Sequence, residues 1–365
     1  MSDSGGIAAN KTNSHYYNLK VKEVVRETED AISIVFDPEV NIDYKSGQFL
    51  TIILPFDGKK VRRAYSLCSS PFTDSNPAVM VKRVEGGLMS DYLNTRLKAG
   101  DILEVMEPMG NFTTEFSIEN KRHIIMFGGG SGITPLISII KSTLNQEPES
   151  ILTLIYCNRN IDSVIFRDQL ENLQKHNEGR LQVIHILDDA PVNWQGPSGL
   201  LNHEMLQQLI ERIPNWGPEK TVYLMCGPEG MMNNVETLLE KRGIPREKIF
   251  KESFVAGTIG KEEKQDSAME EGEGKDYDVT VIYDGEEYTF EVKAGQHILE
   301  TALDRDIDLP FSCQSGLCTA CRGKLISGKI KMDEDEGLSE AEKSEGYVLT
   351  CVGRPISSDV KIQIG

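Results

Sequence analysis

Cys313, Cys318 and Cys321 stand in the run C-Q-S-G-L-C-T-A-C, and a fourth cysteine, Cys351, follows in L-T-C-V-G. C-x4-C-x2-C with a distant fourth cysteine is the plant-type ligand spacing of a [2Fe–2S] cluster. Two irons need four soft anionic ligands at the corners of a small rhomb, and thiolates supply them. Gly316 gives the loop the freedom to offer three ligands from one tight turn. The small residues Ser312, Ser315, Thr319 and Ala320 leave backbone N–H groups free to face the sulfurs. A zinc ribbon, the competing reading, wants a second close cysteine pair near Cys351, and none is there. Cys68, Cys157 and Cys226 are scattered, so no disulfide framework is visible and a reducing, cytoplasmic compartment is expected.

Two further clusters suit phosphate chemistry. G-G-G-S-G-I-T-P (Gly128–Pro135) lies between the apolar run H-I-I-M-F and a helical stretch, where glycines let backbone approach a pyrophosphate and a helix N-terminus favours its charge. It does not match G-x-G-x-x-G. After the next strand the chain reads C-N-R-N-I-D-S-V-I-F-R, with Arg159 where an acidic residue would bond a ribose 2′-hydroxyl. An arginine there accommodates a 2′-phosphate, so Arg159, with Arg167, tilts the expectation to NADPH over NADH. Either arginine can equally be a solvated charge at a helix start.

These groups must be positioned by at least three bodies. The 365 residues exceed one domain. Alternating apolar runs broken by Gly and Pro over 16–119 predict an antiparallel β-barrel. Strands alternating with helices over 120–255 predict a parallel sheet covered on both faces. Residues 256–276 are charged and almost free of apolar side chains, which predicts a linker. Residues 277–365 open with a hairpin turning at Asp284-Gly285 and a helical stretch from Ile298 to Asp304. Residues 1–15 read as a loose tail. The fold class is therefore multidomain β and α/β. A formal charge of −18 argues against nucleic acid and anionic membranes as partners. No apolar stretch reaches a membrane-spanning length.

R-R-A-Y-S-L at Arg62–Leu67, V-K-R-V-E-G-G-L-M-S at Val81–Ser90, the glycine turn and C-G-P at Cys226–Pro228 together resemble the ferredoxin–NADP reductase superfamily. The resemblance implies a flavin-binding barrel, a nicotinamide-binding α/β domain and a C-terminal β-grasp ferredoxin domain. It implies FAD held by Arg63 at a phosphate, Tyr65 against the ring and Ser66 near N5. Lys82 and Val84 would run along the cofactor through backbone, and Gly87, Leu88, Met89 and Ser90 would form the pyrophosphate turn. It places the nicotinamide nucleotide at Gly129, Gly130, Thr134 and Pro135 and beside Cys226, Gly227 and Pro228. Glu252 and Phe254, in K-E-S-F, stand where related reductases keep an acid and an aromatic by the flavin. Ser66, Cys226 and Glu252 are thus the expected catalytic residues.

The three parts form one wire. A reduced nicotinamide yields two electrons and a [2Fe–2S] cluster takes one, so a flavin belongs between them. This domain order resembles the reductases of phenylacetyl-CoA epoxidase and of ring hydroxylases, which implies an NAD(P)H-dependent reductase feeding a di-iron oxygenase component. A Rieske-type oxygenase as acceptor and a stand-alone NAD(P)H flavin oxidoreductase are the alternatives. Asp333–Gly346 carries seven acids against one lysine, which is either a docking surface for a basic partner or a solvated loop.

Overall fold

The computed structural model describes residues 11–13, 16–37, 42–254, 274–335 and 337–365. Most of the expected linker and of the expected tail lies outside the described residues. The chain forms two compact units, one of Met1–Pro108 and Phe112–Phe254, the other of Met109–Asn111 and Val255–Gly365.

The first unit opens with an antiparallel sheet of β1 (Lys11–Asn13), β2 (Tyr16–Thr28), β3 (Ala31–Phe36), β4 (Phe49–Phe56), β5 (Lys59–Ser66), β6 (Ala78–Lys82) and β7 (Ile102–Met109), with α1 (Leu88–Arg96) between β6 and β7. Spatial order is β5-β4-β7-β2-β3-β6. A bridge from Leu67, just past β5, to Val79 in β6 joins the two ends and closes the barrel. Leu19, Ile32, Ile34, Leu50, Ile52 and Leu103 fill it. β1 pairs with β2, so part of the expected loose tail is strand.

The second half of this unit is a parallel sheet of order β10-β9-β8-β11-β12. Its elements are β8 (His123–Gly129), α2 (Ile133–Gln146), β9 (Ile151–Asn158), α3 (Arg167–His176), β10 (Leu181–Leu187), α4 (His203–Arg212), β11 (Thr221–Cys226), α5 (Glu229–Lys241) and β12 (Ile249–Glu252). Alternation decides the layers. Ile124 and Met126 of β8 pack with α2 and α3, while Ile125 and Phe127 pack with α4 and α5. The α2 face also packs on barrel residues Ala31, Cys68, Ala78 and Met80. Buried polar contacts lock that seam: Ser138 donates to the Ser69 carbonyl at 2.6 Å, and Lys141 donates to the Cys68 carbonyl and to Asp74, each at 3.1 Å.

The second unit holds β13 (Tyr277–Tyr283), β14 (Glu286–Val292), α6 (Ile298–Leu303), β15 (Arg322–Ser327), β16 (Ile330–Met332), α7 (Glu340–Ser344), β17 (Tyr347–Leu349), β18 (Gly353–Pro355) and β19 (Val360–Ile364). Five strands form a mixed sheet of order β14-β13-β19-β15-β17, with β13 and β19 parallel. The first hairpin turns at Asp284 (φ 52°) and Gly285 (φ 81°), both left-handed as a two-residue I′ turn requires. The expected linker ends before 276: Asp276 accepts from the Ala294 N–H at 2.9 Å and pairs with Lys293, which ties it to this unit.

Candidate functional site

The four cysteines lie on two loops and a strand start of the second unit. Cys313, Cys318 and Cys321 precede β15, and Cys351 follows β17. Cys318, Cys321 and Cys351 are buried and Cys313 is half-buried. Their sulfurs are in contact, Cys313 with Cys318 and Cys351, and Cys321 with Cys351. The four thiols are thus contiguous in the order Cys318–Cys313–Cys351–Cys321, and four thiolates are the donor set that two irons with two terminal ligands each require. Backbone meets the sulfurs as expected: Ser315 N–H donates to Cys313 Sγ at 3.4 Å, and an Ala320 backbone bond reaches Cys318. Those donors and the neighbouring thiols hold Cys313 far below the usual thiol range, whereas shared protons and burial push Cys318 and Cys351 up. Four adjacent thiolates need a cation among them to coexist. The Ser312 hydroxyl is buried without a partner, and the Ser315 side chain reaches Cys313 on the same loop. Donor set and polar surroundings fit a [2Fe–2S] cluster. Thr350 ties the end of the loop to the turn that carries Cys351, since its N–H and hydroxyl both donate to the Cys321 carbonyl, at 3.2 and 3.1 Å.

In the first unit, three residues from distant positions converge. Cys226 ends β11 and is directly opposite Glu252 of β12. Glu252 is also within hydrogen-bond reach of Ser66, the last residue of β5. Burial pushes the Glu252 carboxyl up to about 8 against the opposing Ser66 bond, and its Oε2 is buried without a partner. Burial, with the Glu252 charge beside it, pushes the Cys226 thiol well up as well. Cys226 is fully buried, so it is a neutral, small side chain here and not a nucleophile. Phe254, just beyond β12, is 42% exposed.

The glycine turn meets the C-G-P turn at the C-terminal ends of β8 and β11, the end at which open parallel sheets bind nucleotides. A side chain on Gly132 would strike the Cys226 carbonyl, one on Gly129 would strike Pro228, and one on Gly227 would lie 2.8 Å from the Gly129 nitrogen. Gly130 needs its left-handed φ of 52°, and the Tyr156 hydroxyl donates to its carbonyl at 3.0 Å. We expect Gly132→Ala to fold poorly or to weaken nicotinamide nucleotide binding about tenfold or more, because the added methyl forces the two turns apart. Isothermal titration with NADP⁺ reads this directly. Thr134 and Pro135 are buried, and the Thr134 hydroxyl is spent on the Ser131 carbonyl at 2.7 Å, so they shape the turn through backbone.

On the barrel, Arg63 and Tyr65 alternate on one face of β5 while Arg62 and Ser66 are buried. Arg63 is exposed and donates to its own neighbour's carbonyl at 2.7 Å. The turn Val84–Gly87 leads into α1: Gly87 N–H donates to the Val84 carbonyl, and Ser90 accepts from Val84 N–H and donates to Gly87. Met89 and Ser90 are therefore inward, and only the backbone N–H groups of this first turn and exposed Leu88 face out. The Lys82 ammonium pairs with Asp30 at 3.6 Å and would lie 3.8 Å from a Cβ on Gly130, so an ion pair of the barrel borders the glycine turn.

Arg159 is exposed and, among the described residues, carries no side-chain bond or ion pair. Arg167 differs: it pairs with Glu171 at 3.2 Å and lines a cavity of about 770 Å³ with Glu27, Cys68, Asp74 and Lys141. That cavity does not include Ser66, Cys226 or Glu252; within it Lys141 pairs with Asp74 at 3.1 Å and Ser33 donates to Glu27 at 2.6 Å.

Family models match three consecutive segments: an oxidoreductase FAD-binding domain over residues 18–114, an oxidoreductase NAD-binding domain over 126–237 and a 2Fe-2S iron-sulfur cluster binding domain over 281–355. The chain is 35% identical to one of the subunits of 1,2-phenylacetyl-CoA epoxidase from Escherichia coli K12, covering 95% of this chain and 97% of that one. It is also 35% identical to the ferredoxin reductase component of 3-ketosteroid-9-alpha-monooxygenase from Rhodococcus rhodochrous, covering 94% and 96%. Among solved structures, phthalate dioxygenase reductase shares the fold with a TM-score of 0.57 at 24% identity, over 96% of this chain and 98% of that one.

Proposed function

This chain belongs to the FAD- and [2Fe–2S]-containing reductase components of multicomponent oxygenases, and from that premise we propose that it prefers NADPH and serves a di-iron oxygenase of phenylacetyl-CoA epoxidase type in the cytoplasm. The convergence of Ser66, Cys226 and Glu252 beside the two nucleotide turns carries the reading of the catalytic site. Bound there, a flavin takes an electron pair from a reduced nicotinamide and passes electrons singly to an iron–sulfur centre.

The chain's own residues do the rest. Lys82 and the N–H groups after Gly130 offer positive potential to a pyrophosphate. Arg63 offers a fork of donors to a flavin phosphate, and Tyr65 an aromatic face. The C-G-P turn holds the nicotinamide end, with Cys226 small enough to allow close approach. Phe254 is exposed where a ring face would need cover. Glu252 keeps a proton at neutral pH within reach of Ser66, so no carboxylate charge opposes an electron pair arriving beside them. No helix of the described residues is long and apolar enough to cross a membrane.

Arg159 supports NADPH because its guanidinium is free to pair with a 2′-phosphate, whereas Arg167 is engaged with Glu171. Losing a charge-assisted bond costs about 1.5–3 kcal/mol, so Arg159→Ala should raise the KM for NADPH about 10- to 100-fold and leave that for NADH within about twofold. Equal effects on both nucleotides would reject the assignment. The identity to the Escherichia coli protein supports the partner. Anaerobic titration with NADPH and NADH, followed in flavin and cluster bands and then by mixing with purified oxygenase components, tests the whole. Reduction of a 3-ketosteroid-type oxygenase but not of an epoxidase would overturn the partner.

A further inference from the structure

Composition marks Asp333–Gly346 as a negative surface, and four of its seven acids are paired locally. Asp333 pairs with His297 at 2.8 Å and with Arg354. Asp335 and Glu340 both pair with Lys343, at 2.9 and 3.2 Å. Glu342 pairs with Arg322 and caps α7 through Ser339.

The same stretch grips the cysteine loop. Gly337 N–H donates to the Gly316 carbonyl at 2.8 Å. A Cβ on Gly337 would lie 2.7 Å from that oxygen and 2.8 Å from the Cys318 nitrogen, and a Cβ on Gly316 would lie 2.7 Å from Glu334 Cβ. Gly316 moreover needs its φ of 75°. Leu338, 4% exposed, lies in the same core as Cys321 and Cys351. Asp333 N–H donates to the Val352 carbonyl at 3.0 Å. One segment thus holds both the loop with three ligands and the turn with the fourth.

We propose that Asp333, Glu334, Asp335, Gly337 and Leu338 form a clasp that keeps water from the cluster loop and so sets the cluster's potential low and its retention high. This rests on the quartet binding a [2Fe–2S] cluster. Reduction adds negative charge to such a cluster, and water stabilises that charge, so shielding favours the oxidised form and makes the reduced form a stronger donor. Gly337 is a positioning residue: any side chain there lifts the clasp off Gly316 and Cys318.

The test uses the full chain with its flavin and cluster. Gly337→Ala should keep FAD content and NADPH–ferricyanide reduction, move the EPR-monitored cluster midpoint to more positive values and speed bleaching in air about 10- to 100-fold, the range seen when supporting shells of metal sites are broken. Glu345→Gln, which removes an exposed charge from the same stretch, should change neither. If Gly337→Ala carries a full cluster with unchanged midpoint and bleaching, the clasp is refuted. If it fails to load a cluster, Asp333→Ala, which loosens the anchor without added bulk, decides by the same two readouts: a positive shift with faster loss supports the clasp, and wild-type values refute it. Wild-type protein without iron and acid-labile sulfide would instead overturn the cluster reading itself, and the clasp with it.

Discussion

Cys351→Ser should abolish electron delivery to the oxygenase component while NADPH–ferricyanide reduction continues at close to the wild-type rate. Cys351 Sγ is the junction of the quartet, touching both Cys313 and Cys321. Serine presents a harder and far less acidic donor, so iron is held poorly at this corner. Loss of a direct ligand should exceed the roughly 10- to 100-fold penalty typical of a supporting residue. The flavin and nicotinamide residues lie in the other unit with their own cores, so FAD content and reduction by NADPH should persist. The check is paired: iron and acid-labile sulfide content, and stopped-flow reduction of ferricyanide and of the oxygenase. Continued oxygenase reduction by a cluster-free variant would mean that electrons leave directly from the flavin, the behaviour of a stand-alone flavin reductase.

What can be read from sequence depends on how local each signal is. The quartet is legible because three of its ligands share one short loop, and loop spacing is a direct record of cluster geometry. The hairpin at Asp284-Gly285 and the glycine turn are legible for the same reason, since left-handed backbone and close approach leave their mark at single positions. Ser66, Cys226 and Glu252 can be nominated only by resemblance. Their meeting depends on barrel closure, on the strand order that puts β12 beside β11, and on the seam between barrel and α2. At Asp333–Gly346 composition shows the charge but not its local pairing, because Arg322 and Arg354, which pair with Glu342 and Asp333, come from other elements. Gly337 looks like punctuation in an acidic run, and only the approach of Gly316 shows why a side chain is excluded there.

Glu252→Gln should keep flavin reduction by NADPH within about tenfold of the wild-type rate at neutral pH, because the amide preserves the uncharged, hydrogen-bonding shape of the protonated acid, and should erase a pH limb near 8. The limb follows from the environment. Burial raises the carboxyl from its ordinary 4.5 to about 8, against the lowering effect of Ser66. Below pH 8 the folded protein therefore keeps Glu252 uncharged beside the site that takes up an electron pair, and above it a carboxylate opposes that charge. Wild-type rates should hold through neutrality and fall as pH passes 8. Stability carries the same signature with its sign set by linkage. Between 4.5 and 8 the folded state binds a proton that the unfolded chain has released, so this group's contribution is full below 4.5 and declines as pH rises to 8. Glutamine cannot ionise, so the variant should lose that decline as well as the kinetic limb. Stopped-flow rates and urea midpoints from pH 5 to 9 measure both. A variant that keeps the wild-type limb in both would assign the titration to another group, and would reduce Glu252 to packing beside Cys226.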